Sequence, residues 1–421
     1  MTINVWSPRS ALAPSAPLLP AYVFIHGGSF EFGSAGIPFF NSSRLASTQD
    51  MVVFTFNYRL GVLGFFQCSN QGIKDQIMAL QWVRDNAAQF GADASAVTLA
   101  GESAGAYSVF LHLTLPASVG LFSRAVVESH ILRVPMRTPA SSGKWSSDWC
   151  TKAGCGSGCA SACIRNASLS NVIGAQDETM VYSLDVPSMI LSWLPCVDGS
   201  LIPMQMYESM YTKGGMRTQV PLIIGTNEGE GWMFISALFP DKAPLPIELD
   251  AILTAAFGVK IAERVLAAYP DPNKDTALAK IITDWLFYCP TRSAARVLSE
   301  HLVPVHTNAP VWLYRFNHTL SVDPWGAHYQ DCANNVCHGV ELAFVFCSAS
   351  VLGYNITSDE EALCGRVQSA WGSFVHGRDD SMWPQYNATA ALLHEWSTPA
   401  DATLQHVQLD ICQGLWDTVP Y

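Results

Sequence analysis

Between Val97 and Val109 the chain reads VTLAGESAGAYSV. A β-branched, apolar run stops at Gly101 and a helix-like run opens at Ala104, so Ser103 stands on a corner between them. Such a corner needs small residues where the two backbones close on each other, and Gly101 and Gly105 supply them. The string Gly-x-Ser-x-Gly alone is weak evidence, because at about 7% Gly it arises by chance in roughly one chain of this length in six. The bland alternative is a glycine-rich turn with a serine N-cap. A strand before and a helix after is the setting of a nucleophile elbow. There the serine Oγ is raised at the C-terminal edge of a sheet, beside the amides of a helix N-terminus.

The same alternation runs through the first half of the chain. AYVFIHGG (Ala21–Gly28) and MVVFTFNYR (Met51–Arg59) read as strands, as does RAVVES after the serine. IKDQIMALQWVRDNAAQF puts Ile73, Ile77, Leu80, Ala87 and Phe90 on one face at helical spacing. Strands that alternate with helices make a parallel sheet with helices over it. From about Thr138 to Gln219 the chain turns Ser-, Gly-, Cys- and Met-rich with weak periodicity, which reads as excursions over the sheet edge. VPLIIGTN and APVWLYRFNH return to strands, with a long helical run between them. Ser358 with Glu361 forms a capping box for a late helix. No internal repeat appears, and one domain over residues 1–421 is the economical reading.

Composition removes some function classes. A formal charge of -12 argues against a nucleic-acid partner, whose phosphates need a basic footprint. No stretch of about 18 consecutive apolar residues occurs, so no transmembrane segment is expected. Twelve cysteines and five N-x-S/T sequons (Asn41, Asn166, Asn317, Asn355, Asn387) point to an extracellular or secretory setting. The N-terminus lacks the basic-then-apolar pattern of a signal peptide, which sits awkwardly with that setting. Four cysteines fall in CTKAGCGSGCASAC without a histidine, which favours disulfides over a metal.

A serine nucleophile needs a base and an orienting acid, in the order Ser, acid, His for this arrangement. Of the 11 histidines, His338 in VCHGVELAFVF precedes a glycine and an apolar run, whereas His26, His112 and His376 lie in less suitable contexts. IIGTNEGEGWMF offers Glu228 and Glu230 just after a strand, and the local pattern does not choose between them.

The run GIKDQIMALQWVRDNAAQFGADASAVTLAGESAGAYSV closely resembles the carboxylesterase type B family, which includes cholinesterases and several fungal lipases. TINVWSP, HGGSFEFGS, FNYRLGVLGF, PCVDGSLIP, VPLIIGTNEGEG, VCHGVELAFVF and MWPQY agree with it in family order. The resemblance implies an α/β-hydrolase fold: a central, mostly parallel sheet covered by helices on both faces. It implies Ser103 as nucleophile, His338 as general base and Glu230, not Glu228, as the triad acid. It assigns the oxyanion hole to Gly28, Ser29 and Ala104, with Ser29 standing where the family commonly has Gly. A Cβ there costs energy if φ is positive. Glu102 and Glu341 match positions of an acidic network near the base. Cys155–Cys163 matches a family disulfide, and Cys332 with Cys337 flanks His338 closely enough for a bridge.

The activity implied is hydrolysis of a small-molecule or lipid ester through an acyl-enzyme, with no cofactor or metal. A non-catalytic, cholinesterase-like adhesion protein is the rival, and within enzymes a lipase or sterol esterase. The chain also enters the family pattern late. It is expected to lack the family's N-terminal strands, to leave a sheet edge open, and to leave Arg59 without its usual acidic partner.

Overall fold

The computed structural model describes residues 2–180, 191–238, 246–299 and 309–419. Its centre is a sheet of nine strands: β1 (Ile3–Trp6), β2 (Leu19–Ile25), β3 (Val52–Phe56), β4 (Ala92–Glu102), β5 (Arg124–Glu128), β6 (Leu222–Asn227), β7 (Val311–Phe316), β8 (Leu393–Trp396) and β9 (Ala402–Leu404). They lie in the order β1-β3-β2-β4-β5-β6-β7-β8-β9. The ladders from β3 to β8 are parallel, and the outer pairs β1/β3 and β8/β9 are antiparallel. Both faces are buried, which is why the central strands carry apolar residues at successive positions in their middles instead of alternating them with polar ones. Val23, Leu99, Val127, Ile224 and Leu313 face one core, and Phe24, Ala100, Val126, Ile223 and Trp312 face the other.

Helices α1 (Gln71–Asn86) and α2 (Ala104–Thr114) pack into the first core, and α4 (Ser358–Val375) into the second. α3 (Cys289–Ser299) continues a helical run from Lys274 through a π-helical stretch at Thr283–Tyr288. Six disulfides are present: Cys68–Cys196, Cys150–Cys159, Cys155–Cys163, Cys289–Cys412, Cys332–Cys337 and Cys347–Cys364. No described helix is long and apolar enough to cross a membrane.

Three expectations change. The segment after Thr138 is largely helical, with elements at Pro139–Lys152, Ser161–Asn166, Leu169–Met180 and Met206–Tyr211; residues 181–190 lie outside the described ones. Packing stabilises what periodicity did not announce: Trp149 is fully buried, and its Nε1 donates to the Val172 carbonyl at 3.2 Å. The late capping box sits one residue earlier, between Thr357 and Glu360. Glu360 is drawn inward because it also accepts from the Ser321 amide at 2.7 Å, whereas Glu361 faces solvent beside Arg44. Finally, Arg59 has an acidic partner. Its Nε and Nη2 reach Asp75, the fifth residue of α1, at 2.7 and 2.8 Å.

Candidate active site

β4 ends at Glu102 and α2 begins at Ala104, which leaves Ser103 alone at the corner, at φ 57° and ψ -121°. That conformation is strained for a residue with a Cβ and survives only where its surroundings enforce it. The Ser103 amide donates to the Glu128 carbonyl at 2.9 Å, and its carbonyl accepts from Tyr107 at 2.8 Å. The flanking glycines allow the approach. A Cβ at Gly105 would lie 2.0 Å from the Ile25 carbonyl oxygen, and one at Gly101 would lie 2.5 Å from the Gly105 carbonyl carbon.

The loop leaving β2 carries Gly28 and Ser29. Ser29 takes φ 55°, so its Cβ does incur the left-handed penalty of about 1 kcal/mol. A turn in which the amides of Glu31 and Phe32 donate to the Gly28 carbonyl, at 2.9 and 3.0 Å, holds the loop. Among the described residues, the amides of Gly28, Ser29 and Ala104 donate no hydrogen bond.

β6 delivers the acid. Glu230 is fully buried, accepts from the Asn227 amide through Oε1 at 2.7 Å, and receives His338 Nδ1 at Oε2 at 2.6 Å. The two carboxylates that sequence spacing left equivalent are thus separated. Glu228 points outward, its side chain 42% exposed, with Oε2 3.1 Å from Arg315 Nη1. His338 is 5% exposed, with Phe234 and Phe287 against its ring at 5.4 and 5.0 Å between centroids. Its Nε2 lies 3.1 Å from Glu102 Oε1 but off hydrogen-bond alignment, so neither atom is committed to a partner among the described residues. Cys332–Cys337 closes directly before His338.

Buried carboxyls crowd this region. Glu341 accepts from Asn227 Nδ2, and Glu128 accepts from the Tyr22 hydroxyl at 3.4 Å. Burial, then the charges of Glu230 and Glu128, hold Glu102 well above the usual carboxylate range. Burial, then the charges of Glu102, Glu128 and Glu230, does the same to Glu341. Burial pushes Glu128 up to about 8. These groups favour the protonated form near neutral pH, which limits the negative charge around the imidazole.

Of the other histidines, His112 and His376 are occupied elsewhere, whereas His26 lines the same cavity as Ser103 with Nδ1 2.8 Å from the Gly27 carbonyl. His112 is fully buried between Ser118 Oγ at 2.8 Å and Gln76 Oε1 at 3.1 Å, and burial lowers it to about 3. His376 Nε2 meets the Gln49 carbonyl at 2.8 Å. His26 stacks on Tyr58, and its carbonyl accepts from the Tyr58 hydroxyl at 3.0 Å.

Ser103, His338, Gly28 and Ser29 line one cavity of about 360 Å³. Its walls are mainly apolar, with Phe32, Ile131, Phe234, Phe287, Trp325 and Leu342 among them. Phe234 and Phe287 were not legible as wall residues, since apolar residues in helical runs read first as core. Asn227 also escaped notice. Its signal was its place in the same short block as Glu230.

A strained serine corner at the C-terminal edge of a parallel sheet, with the buried acid–histidine pair on the neighbouring loops, defines an α/β-hydrolase fold. The chain belongs to the carboxylesterase family, whose model matches residues 1–412. It is 32% identical over 402 residues to a para-nitrobenzyl esterase of Bacillus subtilis (strain 168), covering 91% of this chain and 76% of that protein. It is 32% identical over 370 residues to the cAMP-regulated D2 protein of Dictyostelium discoideum, covering 86% of this chain and 66% of the relative. A solved PNB esterase superposes with a TM-score of 0.81 at 28% identity, over 98% of this chain and 84% of that one.

Proposed function

We propose that the chain hydrolyses carboxylic esters through an acyl-enzyme, with Ser103 as nucleophile, His338 as general base and acid, and Glu230 as orienting acid. The observation that carries this reading is the 2.6 Å contact between Glu230 Oε2 and His338 Nδ1. It commits Nδ1 as the donor and leaves Nε2 as the proton acceptor. In acylation, Ser103 Oγ bonds to the ester carbonyl carbon and its proton passes to Nε2. Glu230 stabilises the imidazolium that results. The carbonyl oxygen becomes an oxyanion, which the N–H groups of Gly28, Ser29 and Ala104 accommodate. Nε2 then returns its proton to the departing alkoxide, and the alcohol leaves. Water repeats the sequence on the acyl-serine and releases the acid. Apart from the attacking water, every proton transfer uses the chain's own groups.

The apolar cavity suits a substrate with hydrocarbon or aromatic parts on both sides of the ester. Six disulfides support an oxidising, extracellular setting. The test is Ser103→Ala, assayed for p-nitrophenyl ester turnover and for covalent labelling by an organophosphonate. Both should vanish. Labelling that persists in the variant would remove Ser103 as the nucleophile.

A further inference from the structure

Asn227 ends β6 and takes no part in the chemistry above, yet its donors run to the groups that do. Its backbone N–H donates to Glu230 Oε1 at 2.7 Å. Its side-chain Nδ2 donates to the carbonyl of Cys337, the residue before His338, at 3.0 Å, and also to Glu341 Oε2. Asn227 is 1% exposed. A carbonyl and a carboxyl converge on one side-chain atom, and an NH₂ group satisfies both, which assigns the orientation of the amide. Oδ1 has no hydrogen-bond partner among the described residues, so the side chain is placed for its donors. Next to it the Gly229 amide donates to the Val336 carbonyl at 3.0 Å, closing the same seam between the two loops.

We infer that Asn227 is a positioning residue for the acid–base pair: its backbone amide aims the Glu230 carboxylate while its side-chain amide anchors the backbone at Cys337. The acid and the base are thereby held to one residue at the end of a central strand. The inference rests on the Ser103–His338–Glu230 reading of the site. Its physical need is plain, because Glu230 and His338 come from loops 108 residues apart and their contact works only over a narrow range of distance and angle. No cation faces the seam in the hydrogen bonds described; Glu102, Glu128, Glu230 and Glu341 crowd it with His338. A neutral double donor suits that place better than a further carboxyl.

The test compares Asn227→Asp and Asn227→Ser with the native chain, with kcat expressed per phosphonate-titrated site. Asn227→Asp keeps the volume, replaces both side-chain N–H donors and adds a carboxyl. Asn227→Ser removes the reach to Cys337 and adds no charge. Each should lower kcat by about ten- to a hundredfold with KM within about threefold, as expected when reacting groups are misplaced. The carboxyl that Asn227→Asp adds lies buried beside Glu341 and should stay protonated as its neighbours do, so the acidic limb of the kcat/KM–pH profile should keep its place in both variants. Per-site kcat within about twofold of native in both variants would overturn the inference. So would failure of both variants to yield folded, titratable protein, which would assign Asn227 to folding alone. An active Ser103→Ala would instead reject the reading of the site, so the two failures are distinct.

Discussion

Glu230→Gln keeps the side chain's shape and removes its charge, which isolates what the buried carboxylate does. In the native chain Glu230 Oε2 lies 2.6 Å from His338 Nδ1, and Oε1 takes the Asn227 amide. In the proposed acylation the imidazole gains a proton beside this carboxylate. With charge centres about 4 Å apart and an effective dielectric of about 20, the attraction is about 4 kcal/mol. That corresponds to a factor of about 10³ in rate. Glutamine adds a second handicap, because its one oxygen can serve either the Asn227 amide or Nδ1–H. If it serves the amide, its NH₂ faces Nδ1 and drives the imidazole proton to Nε2, the atom that must accept the serine proton. The combined fall in kcat should be about 10³- to 10⁴-fold, comparable with loss of the acid's charge in other triads. Glu228 makes an outward ion pair with Arg315 at 42% side-chain exposure. Such pairs contribute about 0–1 kcal/mol, so Glu228→Gln should hold kcat within about threefold. Steady-state hydrolysis of p-nitrophenyl esters, normalised to phosphonate-titrated sites, measures both. Equal losses in the two variants, or a Glu230→Gln kcat within about tenfold of native, would refute the assignment of the acid.

Two further outcomes follow from burial and packing. Gly105→Ala would put a Cβ 2.0 Å from the Ile25 carbonyl oxygen, with backbone on both sides, so β2 and α2 must separate. Overpacking of this kind costs about 1–3 kcal/mol, and both Tm and ester turnover should fall; a native Tm with full kcat would show that the corner has slack. Burial raises the Glu128 carboxyl from 4.5 to about 8. A pKa raised in the folded state contributes stability that is complete below the unfolded value and lost as pH climbs towards about 8. Glutamine has no proton to lose, so the Tm of Glu128→Gln relative to native should rise between pH 5 and pH 8.5. A pH-independent difference would mean that Glu128 is ionised throughout.

Much of this protein is legible in one dimension because its signals are local. The strand–corner–helix at Ser103 follows from two glycines that must let backbones approach, and the apolar strands follow from a sheet buried on both faces. Resemblance to a family singled out His338 and Glu230, whose side chains the fold brings within 2.6 Å of each other, and gave Cys155 a partner at Cys163, where the chain does pair them.

What stayed illegible depends on contacts between distant segments. Glu228 and Glu230 are two residues apart in a Gly-rich block, and the family resemblance separates them where no local property does; one turns inward to His338 and the other outward to Arg315 only once β6 and β7 lie side by side. Arg59 finds Asp75 because the start of α1 lies against the Arg59 backbone, where Asp75 also accepts the Arg59 amide at 3.1 Å, a pairing that the family pattern did not suggest. The capping box sits at Thr357 instead of Ser358 because Ser321, 39 residues away, competes for Glu360. Asn227 reads as an ordinary strand-end amide until folding brings the Cys337 carbonyl to it from 110 residues away. Chemical type and local geometry are properties of neighbours in sequence, whereas burial, hydrogen-bond partners and shifted proton affinities belong to neighbours in space.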